Sequence, residues 1–258
     1  SGTIAHAVLR RAAAPESGAG ARTAVLPPSP SPSFRRRAFP WGAALHPFAQ
    51  RRLASSAGVK LFRSPAAGAL HSLVSDHVVH GRVVFPGAGH LELARAASSM
   101  GEQIVALRGV FFLQPLLVEA PNVQVECEVG GDDAFEVRSG ALGEGLLIDP
   151  AVHCAGSSLA DAGVLQRSGP AVVRAYGGVL AAEVGPLYDA FHLAGLQYGP
   201  AYRGLVQAWR GFTGSSLARV RRRRGRGGGT KVHPSDLDAA LQSTILTSRG
   251  GEGGGARL

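Results

Sequence analysis

Three short stretches of the sequence contain residues that could perform acid–base chemistry. They are His77–Pro86, Leu196–Leu205 and His233–Gln242. The first begins with a histidine and the third contains an aspartate. An imidazole can accept a proton, and a protonated carboxyl group can donate one. The middle stretch adds tyrosine hydroxyls. The sequence therefore offers a base and an acid, on condition that the fold brings these distant stretches together.

Each stretch also has an ordinary structural interpretation. A histidine before a strand, such as His77, is more often structural than catalytic, and the Tyr-Gly-Pro of the second stretch is a common turn sequence. Asp238 and Gln242 are four residues apart, so on a helix they share one face. The glutamine could orient the carboxyl group, or the two could form an ordinary helical pair. The spacing alone leaves both interpretations open.

The elements around the first stretch are strands and one helix. Val78–Phe85 is a β-rich run that Pro86-Gly87 ends, and Gly89–Met100 then has the apolar spacing of a helix. Val123–Val129 alternates between apolar and polar residues, as a half-buried strand does. Other strand candidates lie at 104–106, 110–113, 116–118, 135–137, 146–148 and 151–155, and a connection is expected at 157–168.

The same order of elements begins again in the second half. Strands are predicted at 171–176, 205–209 and 217–220, with a helix or turn at 187–194. Ser235-Asp236 can cap a helix over Leu237–Leu246. Each half contains strands and one apolar helix, which predicts an α+β fold in which a sheet wraps around a single helix, used twice.

The distribution of charge limits the partners that the chain could have. The chain has 258 residues and a formal net charge of +9, and a basic chain invites a nucleic-acid interpretation. Residues 61–218, however, hold nine basic and fourteen acidic residues, a net charge of −5, whereas 1–60 carry +8 and 219–258 carry +6. The apolar middle of the chain is therefore acidic, and the positive charge belongs to the two ends.

Both ends have irregular sequences. Residues 12–33 are rich in Ala, Pro, Ser and Gly and include LPPSPSPS, which is typical of a linker. Residues 219–231 read RVRRRRGRGGGTK; this Arg run could be a solvated loop, a patch for a nucleic acid or an acidic partner, or an artefact of the derived sequence. Sites for single-stranded nucleic acids usually combine basic residues with aromatic side chains on which the bases stack. No aromatic residue follows Phe212, so the Arg run has no such side chains near it in the sequence.

Composition disfavours several other classes of protein. No apolar run approaches the length of a transmembrane helix, and residues 1–14 lack the pattern of a secretory signal, so we expect a cytoplasmic protein with no membrane partner. The only cysteines are Cys127 and Cys154, which neither require nor exclude a disulfide. Since no Cys-x-x-Cys or Cys/His cluster occurs, we expect no metal site.

Together, in this order, the three stretches resemble the dehydratase domains of polyketide synthases and animal-type fatty acid synthases. The family pattern H-x-x-x-G-x-x-x-x-P matches residues 77–86, and H-P-x-x-x-D-A-x-x-Q matches residues 233–242. The pattern G-Y-G-P-x-F is approximated by residues 197–202, where Gln197 stands for the first glycine and Tyr202 for the phenylalanine. The resemblance covers about residues 26–246.

The resemblance implies a double hot-dog fold with one active site between the two hot-dog halves. The expected boundaries are a Pro/Ser/Arg-rich linker over 1–44, an N-terminal hot-dog over 45–162 and a C-terminal hot-dog over 168–258. Only 16 residues follow Gln242, and nine of the last ten are Gly, Ala, Arg or Glu. The family has further strands after this helix, so the C-terminal half is expected to be truncated.

The resemblance also implies a reaction, the removal of water from a β-hydroxyacyl chain on the phosphopantetheine of an acyl carrier protein. His77 would accept the α-proton and Asp238 would donate a proton to the departing hydroxyl, with Gln242 and Tyr198 orienting the acid or the hydroxyl. Asp238 suits this role only if burial raises its pKa. The implied substrate-binding residues are Gly81, Pro86, Gly87, Gly199 and Pro200. His80 and His233 are expected to be structural.

The domain itself would need no cofactor. Its expected partners are the acyl carrier protein and neighbouring synthase domains, with a homodimer as an option and no nucleic acid. Three alternatives stay open: an inactive or truncated dehydratase-like fragment of a multienzyme, an Arg-mediated nucleic-acid binder, and a hot-dog thioesterase or hydratase.

Overall fold

The computed structural model describes residues 46–55, 58–99, 105–119, 122–160, 179–211, 215–221, 223 and 229–247. The linker expected over residues 1–44, the strand expected at 171–176 and the glycine-rich residues 249–256 lie outside this part of the chain, as do residues 222 and 224–228 of the Arg run.

Among the described residues, the first half forms two helices and eight strands. They are β1 (Arg51–Leu53), β2 (Lys60–Pro65), α1 (Gly68–Val74), β3 (His77–Val79), β4 (Arg82–Val83), α2 (Gly87–Ser98), β5 (Val105–Phe112), β6 (Val123–Val129), β7 (Ala134–Gly143) and β8 (Leu146–Ala160). The second half continues with β9 (Val179–Ala182), α3 (Val184–Leu193), β10 (Leu196–Tyr198), β11 (Leu205–Gly211), β12 (Ser216–Val220), α4 (Pro234–Gln242) and a 3-10 turn at Ser243–Thr247.

Six strands of the first half form one antiparallel sheet in the order β1-β2-β6-β7-β8-β5. The alternation predicted for β6 is present on its apolar face, where Val125, Cys127 and Val129 are at most 2% exposed. On the opposite face Glu126 is also buried, where it pairs with Arg63 and Arg138. A slip of one residue would move the whole apolar set towards solvent, so burial of one face fixes the register. This inner face packs against α2.

Helix α2 occupies the centre of the first half. Leu93, Ala94 and Ala97 are at most 1% exposed and belong to the same apolar core as the inner face of the sheet. A Cβ at Gly89 would lie 3.0 Å from the Phe85 ring, closer than atoms can pack comfortably. The glycine therefore lets the first turn of the helix rest on that ring, next to the stretch that begins at His77.

The β-rich run Val78–Phe85 is a hairpin and not one continuous strand. His80 and Gly81 have positive φ angles of 48° and 77°, and they turn the chain between β3 and β4. Glycine adopts positive φ angles without steric cost, and this conformation explains why the turn contains a glycine at position 81. His80 lies in this turn, where its backbone N–H donates to the Gly195 carbonyl.

Several strands that were predicted as separate pieces are continuous, because β-bulges absorb the residues that would interrupt them. Strand β5 joins the candidates 104–106 and 110–113 through a shift in register beside Gly109, and β8 joins 146–148 and 151–155 through a shift beside Asp149. Strand β8 also runs on to Ala160, into the predicted connection. The prediction of a strand at 116–118 was wrong, since only an isolated bridge between residues 84 and 117 forms there.

In the described part of the second half, three strands form a smaller sheet that packs with two helices. Strands β12, β11 and β9 form an antiparallel sheet in that order, against an apolar core that includes Phe191, Tyr202, Leu205 and Ala239. The segment predicted as a helix or turn is helix α3. Helix α4 begins earlier than predicted, because the His233 side chain, and not Ser235-Asp236, caps it and accepts from the Ser235 N–H.

A third sheet joins the two halves and is the feature that positions the candidate site. Strand β10 of the second half pairs antiparallel with β3 of the first half, in the order β10-β3-β4. Its register places Tyr198 opposite His77 and Gln197 opposite Val78. The first and second stretches of the sequence analysis are therefore neighbouring strands of one sheet.

Two questions raised by the composition concern the cysteines and membrane-spanning helices. Cys127 and Cys154 are both buried and free, so they form no disulfide. None of the helices in this part of the chain combines the length and the apolar character needed to cross a membrane.

A buried carboxylate connects α2 to the segment that leads into α4. Glu92 is 2% exposed and accepts from Nε and Nη2 of Arg95 at 2.7 and 2.8 Å, and from the backbone N–H of Lys231 at 2.6 Å. His46 Nε2 lies 3.1 Å from the same carboxylate. Burial alone would raise the pKa of Glu92, but the hydrogen bonds from Arg95 and His46 outweigh burial and lower the pKa to about 2.

We expect Glu92→Gln to lower the free energy of unfolding by about 3 kcal/mol at pH 7, because it leaves the Arg95 charge without its buried partner. The carboxylate stabilises the fold above the ordinary glutamate pKa, near 4.5, and this stabilisation is lost as the pH falls towards 2. Urea unfolding at pH 7 and pH 3 should therefore show a smaller difference between the two proteins at pH 3. The matched control is Glu136→Gln, at an exposed glutamate, and a constant difference across this range would contradict the assignment.

Candidate active site

The histidine of the first stretch is held in one orientation by its own hairpin. His77 is 9% exposed, and its Nδ1 lies 2.7 Å from the carbonyl oxygen of Val84. A carbonyl oxygen can only accept a hydrogen bond, so Nδ1 must carry the proton in this contact. In the neutral ring Nε2 is then the unprotonated nitrogen, which is the form that a general base needs.

Two tyrosines of the second stretch flank this imidazole. The ring centres of Tyr198 and Tyr202 lie 5.6 and 5.3 Å from that of His77. Tyr202 is fully buried, and its hydroxyl donates to the carbonyl of Leu73 in helix α1. The two rings restrict the space around His77 and shield it from water.

The aspartate of the third stretch is a buried acid on helix α4. Asp238 is 7% exposed, and burial raises its pKa above the ordinary value near 3.8. The interaction with His77 and a hydrogen bond from Gln242 act in the opposite direction, but burial outweighs them. A carboxyl group in such surroundings keeps its proton to a higher pH and can donate it.

Gln242 holds Asp238 in the way that the i,i+4 spacing allowed. Its Nε2 donates to Asp238 Oδ2 at 2.9 Å and to the Tyr202 carbonyl at 3.0 Å, and its Oε1 accepts from the Tyr188 hydroxyl at 3.0 Å. Both amide hydrogens and the amide oxygen are used, so the side chain has one favourable orientation. Of the two interpretations of this spacing, the described contacts favour orientation of the carboxyl group.

Tyr188 is a site residue that the sequence analysis missed. It lies on helix α3, and its hydroxyl accepts from the Leu205 N–H at 3.1 Å while it donates to Gln242. Burial raises its pKa, which keeps the hydroxyl protonated and able to donate. The only signal in the sequence was a tyrosine in an apolar helical stretch, and such a residue is usually part of a core.

An open pocket of about 370 Å³ lies beside the acid. It is lined by Phe191, Tyr198, Asp238, Leu241, Gln242, Thr244 and Ile245. Three of these are residues that the sequence analysis assigned to the site. Burial and the nearby Asp238 charge raise the pKa of Tyr198, so this hydroxyl is protonated at the pocket wall.

The glycine and proline residues that the resemblance implied for substrate binding lie at three places in the fold. Gly81 is in the hairpin turn, and its N–H donates to Gln197 Oε1 at 2.7 Å, so the glutamine that replaces the family's glycine ties the first stretch to the second. Gly199 donates its N–H to the Asp76 carbonyl at 2.8 Å, and Pro200 beside it is exposed.

Pro86 and Gly87 lie at the start of helix α2. Pro86 is the N-cap residue, and its carbonyl accepts from the N–H groups of Gly89 and His90. The first N–H groups of a helix lack partners within the helix and carry partial positive charge, which suits an oxygen that becomes negative. The Phe112 ring packs against Gly87, and a Cβ at this position would lie 3.3 Å from the ring.

One arginine of the Arg run has a structural role, in contrast to a purely solvated loop. Arg223 donates from Nε to Asp236 Oδ1 and from Nη2 to the Ala201 carbonyl, both at 2.7 Å, and it also contacts the Ser235 hydroxyl. It thereby links the second and third stretches on the side of α4 where the helix begins. In the part of the chain that the structure describes, no His, Cys, Asp and Glu side chains cluster in a way that could hold a metal ion.

Comparison with known proteins identifies the same family in the N-terminal and in the C-terminal part of the chain. The profile of the polyketide synthase dehydratase domain matches residues 46–140, and that of the polyketide synthase dehydratase N-terminal domain matches residues 168–257. Polyketide synthase ThaG of Burkholderia thailandensis is 31% identical over 237 residues, and mycoketide-CoA synthase of Mycobacterium tuberculosis is 33% identical over 193 residues. These matches cover 87% and 70% of this chain, which spans about 4% of the length of each relative.

Solved structures with the same fold are also dehydratase domains. The dehydratase domain of PpsC from Mycobacterium tuberculosis superposes with a TM-score of 0.65 at 25% identity, and that of the CurK module of curacin polyketide synthase with 0.64 at 22%. Each match covers 79% of this chain and 74% of the other. The two profiles together span most of the sequence, and the chain belongs to the dehydratase domain family of polyketide synthases.

Proposed function

We propose that this domain removes water from a β-hydroxyacyl thioester carried by an acyl carrier protein and releases an α,β-unsaturated acyl chain. The observation that carries the proposal is the pair formed by His77 and Asp238. Nε2 of His77 is free to accept a proton, whereas burial raises the pKa of Asp238 and so favours its protonated form. Two neighbouring groups with opposite protonation are what a dehydration needs.

The proposed reaction moves two protons and breaks one C–O bond. His77 Nε2 takes the proton from the α-carbon, and negative charge builds on the thioester oxygen. The N–H groups at the start of α2, from Gly87 onward, would stabilise that charge. Asp238 donates its proton to the β-hydroxyl, which departs as water as the Cα–Cβ double bond forms. The proton on His77 then returns to Asp238, so both groups regain their starting forms.

The remaining site residues would orient the reacting groups. Gln242 fixes Asp238, and the Tyr198 hydroxyl at the pocket wall would hydrogen-bond the β-hydroxyl of the substrate. Contacts of the substrate with Gly81, Pro86, Gly199 and Pro200 stay a prediction from the family patterns. The proposal needs no cofactor within the domain beyond the phosphopantetheine that carries the acyl chain.

Structures of related dehydratase domains support this chemistry. One structure is the PpsC dehydratase domain in complex with C12:1-CoA, an unsaturated acyl thioester. Two others are inactive mutants of the CurK dehydratase, one with a histidine and one with an aspartate replaced. By analogy, we propose that this chain acts within a multidomain synthase and receives its substrate from an acyl carrier protein. A homodimer stays a prediction.

The domain organisation is part of the proposal. We infer two hot-dog units, with residues 45–162 forming one and 168–258 the other, preceded by a linker over 1–44. The inference of two units is supported by the contacts of the helices, because α2 and α4 each lie against a different antiparallel sheet. Strands β3 and β10 join the units, and the site lies at that junction.

Replacement of either proposed proton-transfer residue should abolish turnover. For His77→Ala and for Asp238→Asn we expect kcat for a β-hydroxyacyl pantetheine thioester to fall by about a hundredfold or more, since each removes one half of the acid–base pair. Loss of water is followed by mass spectrometry. The control is His192→Ala, at an exposed histidine of α3, and retained activity in both site variants would refute the proposal. Release of free acid from a saturated thioester would favour a thioesterase instead.

Asp238→Asn should stabilise the folded domain while it inactivates the site. The folded-state pKa of Asp238 is raised, so the wild-type carboxyl group favours the fold at low pH and this advantage is lost as the pH rises through the raised pKa. At pH 8 we expect the variant to be more stable by on the order of 1 kcal/mol, and the gain should vanish towards pH 4. Urea unfolding measures this, with Asp189→Asn as the exposed control. A variant that is less stable at pH 8 would contradict the raised pKa.

Tyr188→Phe tests the support of the acid. The change leaves the buried Leu205 N–H and Gln242 Oε1 without their partner, so the free energy of unfolding should fall by about 1–3 kcal/mol. Release of Gln242 should also lower kcat. Leu193→Ala, on the exposed side of the same helix, should change neither quantity. If Tyr188→Phe matches the wild type in thermal unfolding and in kcat, the hydroxyl does not support the site.

A further inference from the structure

Asp76, the residue immediately before His77, contacts the second stretch of the chain through two separate groups. Its backbone carbonyl accepts from the Gly199 N–H at 2.8 Å, and its carboxylate Oδ2 accepts from the Ala201 N–H at 2.6 Å. Gly199 and Ala201 lie in the turn between Tyr198 and Tyr202. One residue of the first half thus holds both sides of a turn that belongs to the second half.

The fit between Asp76 and this turn also explains why residue 199 is a glycine. A Cβ at Gly199 would lie 2.5 Å from Cγ and 2.7 Å from Oδ1 of Asp76, where no side chain can be placed. The backbone of Gly199 does not have a positive φ angle, so its conformation would admit other residues. It is the carboxyl group of Asp76 that occupies the space.

The turn held by Asp76 leads to both proposed proton-transfer residues. On one side, the Tyr198 and Tyr202 rings flank the imidazole of His77. On the other side, the Tyr202 carbonyl accepts from Gln242 Nε2, whose second hydrogen goes to Asp238. A displacement of this turn would therefore disturb the surroundings of the base and the orientation of the acid together.

We propose that Asp76 is a positioning residue that sets the geometry between His77 and Asp238 by holding the 199–201 turn, an inference that rests on the proposed dehydration. Its side chain acts as a hydrogen-bond acceptor for Ala201. An asparagine offers an amide oxygen of the same reach, whereas a glutamate keeps the charge but is one methylene too long for the space beside Gly199.

The test compares three replacements of Asp76 in the whole domain with the pantetheine thioester described above. For Asp76→Ala and Asp76→Glu we expect kcat to fall by about tenfold to a hundredfold with little change in KM, because small displacements of reacting groups are costly. Asp76→Asn should retain most of the wild-type kcat. Asp189→Ala, the same kind of change at an exposed aspartate, should have no effect.

The pattern among the variants decides the proposal. Wild-type kcat in Asp76→Glu would overturn it, and so would an Asp76→Asn variant as impaired as Asp76→Ala. A reduction in stability alone, with kcat unchanged, would assign Asp76 a structural role only. Should Asp76→Ala fail to fold, the comparison of the Glu and Asn variants still gives one of these outcomes.

Failure of the proposed function would be recognised separately. If the wild-type domain does not release water from the thioester, the dehydration proposal fails, and the position of Asp76 is tested by NMR titration of ¹³C-labelled aspartate. We expect Asp76→Glu to shift the titration of the Asp238 carboxyl group and Asp76→Asn to leave it in place. An unchanged Asp238 titration in Asp76→Glu would overturn the positioning role independently of any turnover.

Discussion

The pairing of β3 with β10 is the constraint on which the candidate site depends. These are two three-residue strands from different halves of the chain, and their register sets Tyr198 opposite His77. A short antiparallel pair offers little stability by itself. It is reinforced on one side by the contact of Gln197 with Gly81 and on the other by the contacts of Asp76 with Gly199 and Ala201.

Burial at this junction gives the acid and the base their different properties. Asp238 loses contact with water, which raises its pKa, while the Val84 carbonyl fixes the proton of His77 on Nδ1. Buried polar groups destabilise a fold unless they are hydrogen-bonded. The site meets this condition through a continuous set of contacts that runs from Leu205 through Tyr188 and Gln242 to Asp238. The network that satisfies the buried groups is also the one that orients the acid.

Charged side chains at the edge of the site make internal contacts, one between the two halves and one within the second half, so the excess of arginine has a structural component. Glu92 on α2 binds backbone N–H groups that precede α4, and Arg223 connects the start of α4 with Ala201. The contact of Glu92 joins residues about 140 positions apart, whereas that of Arg223 with Ala201 spans 22 positions. At least one arginine of the basic run is therefore committed to internal contacts.

The sequence by itself determined the family and the main helices, and it named the residues that we propose as acid and base. These inferences rest on residue type and local spacing, such as the alternation in β6 and the four-residue separation of Asp238 and Gln242. Residues four apart share a face of any helix, whatever fold surrounds it. The sequence placed His77 before a strand, whereas His77 is the first residue of β3 in the structure. The hairpin turn at His80-Gly81 was not recognised either, because positive φ at a histidine has no distinct sequence signal.

Only the tertiary structure decided how the distant stretches meet. The register of β10 against β3, the role of Tyr188 and the contact of Asp76 with the turn at Gly199 all join residues more than 50 positions apart or lying on different elements. Such contacts depend on how two halves pack, and a hydrogen bond between remote residues leaves no periodicity in the chain. The sequence named the groups that could exchange protons, and the packing of the two halves oriented both groups and raised the pKa of Asp238.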